Sequence, residues 1–254
     1  MKVKKILISQ PQPADGKSPF NILAEKYNVK LVFRPFIKVD PINAREFREQ
    51  KVNILEHTAV VFTSKVGIEH FFRMIKELNI ERNLNPDLKY FCISESIANF
   101  LQKHLVNNYR KRKVFFGTTG KLEDLFSVIN KNAKEKYLFV SPENNNDGIM
   151  EILQNSKLDY HTATMYRTVS NDFTPDEPFN YDMLIFFSPQ GIAALLKNFP
   201  NFDQGDIVIG CLGTSTAQAI KDANLRLDIE VPSPKYTSIS VAMDEFLKEN
   251  HKRK

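Results

Sequence analysis

Small hydroxyl residues stand where apolar runs give way to amphipathic ones, and they do so twice. Val61-Phe-Thr-Ser64 leads into Gly67-Ile68, and Phe186-Phe-Ser188 leads into Gly191-Ile192, with Ser and Gly both offset by 124. Cys92-Ile-Ser-Glu-Ser96-Ile-Ala98 returns as Cys211-Leu-Gly-Thr-Ser215-Thr-Ala217 at an offset of 119, so Ser96, Ser215 and Thr216 are expected to begin the next helix in each half. Free backbone N–H groups and the helix dipole at such starts favour anions, carboxylates above all. Helix capping alone is the plainer reading of each residue, and both readings stay open for the set. Lys65 directly follows Ser64 and could meet an acidic ligand or be solvated. Tyr166 sits on a long β-like segment, where its ring packs or its hydroxyl faces a cleft. Glu143 and Asp147, around the polar turn Asn144-Asn-Asn-Asp147, form a weaker candidate for an acid/base pair.

Other chemistries lack their residues. His57, His70, His104, His161 and His251 are scattered, with no HxxxH or HExxH spacing and no Cys partner, so no metal site is expected. GxGxxG, Walker and GxSxG motifs are absent, which disfavours dinucleotide, nucleoside triphosphate and hydrolase readings. With only 9 Gly, phosphate-cradling loops are scarce.

The elements that must position these residues read as alternating strands and helices. Candidate strands are Lys5–Gln10, Lys30–Phe36, Ala59–Thr63, Lys89–Ile93, Lys113–Phe116, Tyr137–Ser141, Asp159–Thr168, Met183–Ser188, Ile207–Leu212 and Asp228–Val231. Apolar residues at helical spacing, such as Ile68/Phe71/Phe72/Ile75 and Ala217/Ile220/Ala223, fill the gaps. Runs such as Leu184-Ile-Phe-Phe187 are apolar on both faces, as parallel strands covered by helices on both sides must be. The class is therefore α/β and doubly wound. Lys5-Ile-Leu-Ile-Ser9-Gln-Pro11 also resembles Lys136-Tyr-Leu-Phe-Val-Ser141-Pro142, offset by about 131, so the chain reads as two similar halves. Val29–Val39 and Asp159–Val169 occupy equivalent places and are expected to pair as a connector.

Bulk properties narrow the partners. The net charge of +5 comes from two short runs: Arg110-Lys-Arg-Lys113 gives four charges and Lys252-Arg-Lys254 three, leaving the rest at −2. A nucleic-acid footprint would be a broader stripe with interleaved aromatics, so no nucleic-acid partner is expected. The longest apolar runs are about five residues, far below the roughly 18–20 of a membrane span. The start lacks a signal-peptide core, which points to the cytoplasm. Cys92 and Cys211 lie inside apolar runs as reduced, buried thiols.

The order Ile6-Leu-Ile-Ser9, Val61-Phe-Thr-Ser64, Tyr166-Arg-Thr168, Phe186-Phe-Ser188-Pro-x-Gly191 and Leu212-Gly-Thr-Ser-Thr-Ala217 resembles the uroporphyrinogen-III synthase family, as does the tail Val231-Pro-Ser-Pro234 before a helix near Ser238–Leu247. The resemblance covers essentially the whole chain. It implies two similar doubly wound parallel-sheet domains joined by a two-stranded β connector, with the active cleft between them. One domain would be discontinuous, about 1–35 and 172–254, the other about 40–163, with connectors near 33–39 and 164–171. The implied reaction is a cofactor-free cyclisation of hydroxymethylbilane with loss of water and inversion of the last pyrrole ring. Tyr166 would assist departure of the hydroxyl, and Ser64, Lys65, Ser96, Ser188, Gly191, Ser215 and Thr216 would meet the substrate. The expected partners are the substrate and the upstream enzyme that makes it, for a monomer without membrane attachment. Gln10 replaces a frequent Arg and Ile97 a hydroxyl residue, which keeps a non-catalytic module binding a tetrapyrrole or other small acidic ligand as the alternative.

Overall fold

The computed structural model describes residues 3–14, 16–105, 113–143 and 148–251. Asn144–Asp147, the basic residues Arg110–Arg112 and the run Lys252–Lys254 lie outside the described residues. The chain forms two compact units: a discontinuous one, Met1–Lys38 with Val169–Lys254, and an inserted one, Val39–Thr168.

The discontinuous unit holds β1 (Lys5–Ile8), α1 (Pro19–Tyr27), β2 (Lys30–Phe33), β9 (Met183–Phe186), α7 (Pro189–Asn198), β10 (Val208–Leu212), α8 (Thr214–Asp222), β11 (Ile229–Val231) and α9 (Ile239–His251). Its sheet has the order β11-β10-β9-β1-β2, and every pair is parallel. Alternation along each strand fills two cores. Ile6, Ile8, Met183 and Ile185 meet Phe20 and Leu23 of α1 and Met243 and Leu247 of α9 on one face. Leu7, Leu184, Phe186 and Ile209 meet Ile192 and Leu195 of α7 and Ile220 of α8 on the other. Burying each such side chain stabilises the fold by about 1.5–3 kcal/mol.

The inserted unit holds β3 (Ile37–Pro41), α2 (Ala44–Glu49), β4 (Ala59–Phe62), α3 (Lys65–Glu77), β5 (Lys89–Cys92), α4 (Glu95–Gln102), β6 (Val114–Phe116), α5 (Leu122–Asn130), β7 (Lys136–Pro142), α6 (Ile149–Gln154) and β8 (Asp159–Ser170). Its sheet order is β3-β8-β7-β4-β5-β6, with β4 to β8 parallel. The same alternation recurs: Val60, Phe62, Leu138 and Val140 face α3 and α4, while Ala59, Val61, Tyr137 and Phe139 face α5 and α6. Edge strand β3 runs against β8, since Ile42 donates to the Met165 carbonyl (3.0 Å) and Asn171 to that of Phe36 (2.8 Å).

The repeat in the sequence is a repeat in space with a shifted starting point. β4 and β9 occupy the same slot, as do β5 and β10, and β7 and β1. Registers agree as well: Ala59 pairs with Tyr137 and Lys89, while Met183 pairs with Ile6 and Val208, each related by the offsets of the sequence blocks. The expected single β-like stretch Val29–Val39 is instead two strands. Pro35 has no N–H for a ladder and restrains Arg34 before it, so β2 stops at Phe33 and β3 begins at Ile37. The division between units falls within both β3 and β8.

Candidate functional site

In a doubly wound sheet, ligands sit beyond the carboxyl ends of strands where the strand order reverses. That point lies between β4 and β7 in the inserted unit and between β1 and β9 in the discontinuous one. Ser64 follows β4 and Ser188 follows β9. Each is an extended N-cap whose Oγ accepts from the glycine three residues on, Gly67 at 3.0 Å and Gly191 at 3.3 Å. The glycines serve close packing: a Cβ on Gly67 would stand 3.4 Å from Val140 Cγ1, and one on Gly191 3.2 Å from Phe186 Cδ1. The repeated Ser-x-x-Gly thus caps each helix and lets it approach its sheet.

Ser64 has a second partner. Its Oγ lies 3.1 Å from the Tyr166 hydroxyl. Since Oγ already accepts from Gly67, it can donate to the phenol or accept a second bond from it. A bulge puts Tyr166 there. Ser141 pairs with Thr164, but the next residue, Pro142, pairs with Tyr166, so Met165 is extra in β8. Strict alternation would turn Met165 and Tyr166 to opposite faces; with the bulge both enter the core that packs against α3.

On α3, the His70 ring stacks on Tyr166 with centroids 5.3 Å apart and an interplanar angle of 18°. Arg73, one turn further, donates from Nε to His70 Nδ1 (3.1 Å) and from Nη2 to the carbonyls of Ile42 (2.7 Å) and Met165 (3.2 Å). Its Nη1 binds Glu77 at 2.5 Å. Burial, and then the adjacent guanidinium, hold His70 below the usual imidazole range. The imidazole is therefore neutral near pH 7, with its proton on Nε2. Neither residue stands out in the sequence as a site candidate. Their i, i+3 spacing on the helix that Ser64 opens is the available signal, but the stacking partner lies far along the chain.

The remaining candidates are distributed. Lys65 is exposed, with Nζ 5.6 Å from the Phe100 ring centroid. Ser96 is exposed in the first turn of α4, and the cap is Ser94, whose Oγ accepts from Ile97 N at 3.5 Å. At the matching place in the discontinuous unit, Gly213 at φ 110° precedes α8 and no side chain caps it. Ser215 is exposed there, whereas Thr216 is 1% exposed and faces the core. A depression of about 360 Å³ in the inserted unit is lined by Glu46, Glu49, Glu143 and Arg167 among others. Arg167 is already paired with Glu46 (2.5 Å) and Glu143 (3.3 Å), so this surface has the wrong sign for carboxylates. The Asp147 half of the Glu143/Asp147 candidate lies outside the described residues. Among the described residues no three His, Cys, Asp or Glu side chains converge as metal ligands, and no helix is long and apolar enough to cross a membrane.

Comparison with known proteins agrees with this architecture. Uroporphyrinogen-III synthetase from Helicobacter pylori superposes with a TM-score of 0.64 at 18% identity, covering 97% of this chain and 99% of that one. A mutant uroporphyrinogen III synthase from the extremely thermophilic bacterium Thermus thermophilus gives 0.54 at 13% identity, covering 98% and 100%. The porphyrin biosynthesis protein HemD of Ruminiclostridium josui is 24% identical over 236 residues, 87% of this chain. The chain spans only 44% of that relative's length. The family model for uroporphyrinogen-III synthase HemD matches residues 18–240. With most of its length under that model, the chain belongs to the uroporphyrinogen-III synthase HemD family.

Proposed function

We propose that this protein cyclises hydroxymethylbilane to the type III uroporphyrinogen, and that Tyr166 assists the departing hydroxyl. The observation that carries the reading is the Ser64–Tyr166 hydroxyl pair, 3.1 Å apart, at the strand reversal of a chain in this family. The pyrrole nitrogen supplies the electron pair that expels the hydroxyl, so the protein's task is to lend a proton and hold the chain folded. The phenol donates to the leaving oxygen, water departs, and an azafulvene remains. The substituted carbon of the last ring then bonds to the azafulvene methylene to give a spiro centre, and its older bond to the methylene shared with the third ring breaks. That methylene rebonds at the free α-carbon of the last ring, which closes the inverted macrocycle, and the proton lost from that carbon restores the phenol. A phenol is a weak acid at neutral pH, which suits assistance to a leaving group already pushed by nitrogen. Substrate carboxylates are read as lying against the helix starts near Lys65, Ser96, Ser188, Gly191 and Ser215. Burial of Thr216 gives it a packing role first.

The reading includes a domain division at about 1–35 with 172–254 and 40–163, a monomer acting in the cytoplasm, no bound cofactor, and supply of substrate by the enzyme that makes it. An assay resolving type I from type III product tests the activity, because spontaneous closure gives type I. Type III product is expected, and type I alone overturns the proposal. Tyr166→Phe is expected to lower turnover about 100-fold with unchanged thermal unfolding; unchanged turnover removes Tyr166 from the mechanism.

A further inference from the structure

We propose that His70 and Arg73 are positioning residues for Tyr166, and that turnover requires the His70 imidazole to be neutral. This rests on the reading above, that the Tyr166 hydroxyl meets the substrate. The phenol is fixed at three places. Ser64 holds its oxygen, the His70 ring covers one face, and the peptide before it is held by Arg73 through the Met165 carbonyl. That carbonyl belongs to the extra residue of the bulge and also accepts from Ile42 N, so one guanidinium group ties the bulge of β8 to the end of β3. Arg73 reaches it along a defined line, because His70 Nδ1 receives its Nε–H.

The chain of contacts has one titratable link. A protonated imidazole would turn an N–H toward an N–H and set two cations side by side. Arg73 would leave Nδ1, the hold on Met165 would loosen, and the phenol would move from its place beside Ser64. The charged groups acting on His70 are Arg73, Glu69 and Glu77, all on α3; from β8 the phenol of Tyr166 stacks on it. The two glutamates raise its proton affinity and Arg73 lowers it, with burial the largest effect.

The test uses the full chain and follows kcat and KM for type III product from pH 5 to 8.5, with His70 titrated by NMR. The wild-type kcat should fall on the acid side along the NMR curve of His70 while KM stays within about twofold. His70→Asn keeps an acceptor near Nδ1 without a ring, and His70→Phe keeps a ring without an acceptor; neither can titrate. Both should lose the acid fall and lower the plateau kcat by about tenfold, and Arg73→Met should move the His70 titration upward. His70 is only half-buried, so the Asn variant carries the test if the Phe variant fails to fold. An acid limb in both variants identical to wild type, or a loss confined to KM, overturns the inference while type III formation stands. Type I product alone from the wild type overturns the proposed function and this inference together.

Discussion

β8 of the inserted unit and β2 of the discontinuous unit occupy the same slot in their sheets, beside β7 and β1. Thr162 pairs with Phe139, and Phe33 pairs with Ile8, at matching positions. Beyond that point the two segments part. β8 takes in one extra residue, Met165, and presents the phenol of Tyr166 to Ser64. β2 stops, and the ring that follows three residues after Phe33 is Phe36, fully buried against Phe173 and Phe186. One scaffold thus yields a hydroxyl bonded to a helix cap in one copy and a wholly apolar packed ring in the other. An irregularity in pairing, rather than the sheet itself, separates the two positions.

Two arginines extend the contrast. Arg34 gives Glu177 a bidentate pair at 2.8 and 2.9 Å, donates to the carbonyls of Pro35, Asn171 and Asp172, and covers the Phe173 ring at 3.8 Å. Arg73 bridges Ile42 and Met165 but shares its Nε with a titratable ring. Arg34→Met should therefore cost the most stability, about 2–4 kcal/mol, with kcat unchanged at 25 °C. Arg73→Met should cost less, about 1–2 kcal/mol, and lower kcat. Urea unfolding and steady-state kinetics separate the two, and equal effects on both measures would erase the distinction between the clamps.

The helix starts provide a smaller contrast. Gly213 at φ 110° is in a conformation that side chains resist, while Ser94 at φ −151° is extended backbone open to any residue. Gly213→Ser should destabilise by about 1–2 kcal/mol, and Ser94→Gly by only a few tenths. A costly Ser94→Gly would mean that the long 3.5 Å cap matters more than its geometry suggests.

The smallest effect concerns pH and belongs to the inserted unit alone. Before β4, buried His57 has Nδ1 2.8 Å from the Asn53 carbonyl and Nε2 3.0 Å from His161 Nδ1. Before β9 the matching residue is Tyr181, whose phenol burial pushes further up and keeps neutral. Burial, the largest effect on His57, lowers its proton affinity. The folded state thus favours the neutral ring, and its contribution is complete above the unfolded imidazole's range, about 6.5. It is lost as pH falls through that range toward the folded value. Hydrogen exchange should show the β4 and β8 amides less protected at pH 5.5 than at 7.5, with those of β9 unchanged. His57→Gln should flatten the response, and an equal loss of protection in β9 would assign it elsewhere.

Local chemistry is the legible part of this chain. Ser64 and Ser188 cap helices because their side chains reach an amide three residues on, and that relation is written in adjacent residues. The division into two similar halves is legible through the offsets of the repeated blocks, whereas the strand order is not. Ser96 stands out where Ser94 is the cap, because two hydroxyls near one start differ only in backbone angle. The break at Pro35 is also local, yet the apolar run around it conceals it. The bulge at Met165 and the stack of His70 on Tyr166 depend on pairings across long stretches of chain, which no local pattern contains.

The shifted starting point of the discontinuous unit bears on how the chain is made. β1 and β2 leave the ribosome well before β1's other neighbour, β9, which begins only at Met183. At about 5–20 residues per second, the apolar segment Ile6-Leu-Ile8 waits roughly 10–35 s for that neighbour. The inserted unit is synthesised whole within the interval and can finish its sheet. The nascent chain therefore carries a folded inserted unit behind an unfinished β1–β2 pair, and that pair is where chaperone capture or misassociation is expected during synthesis.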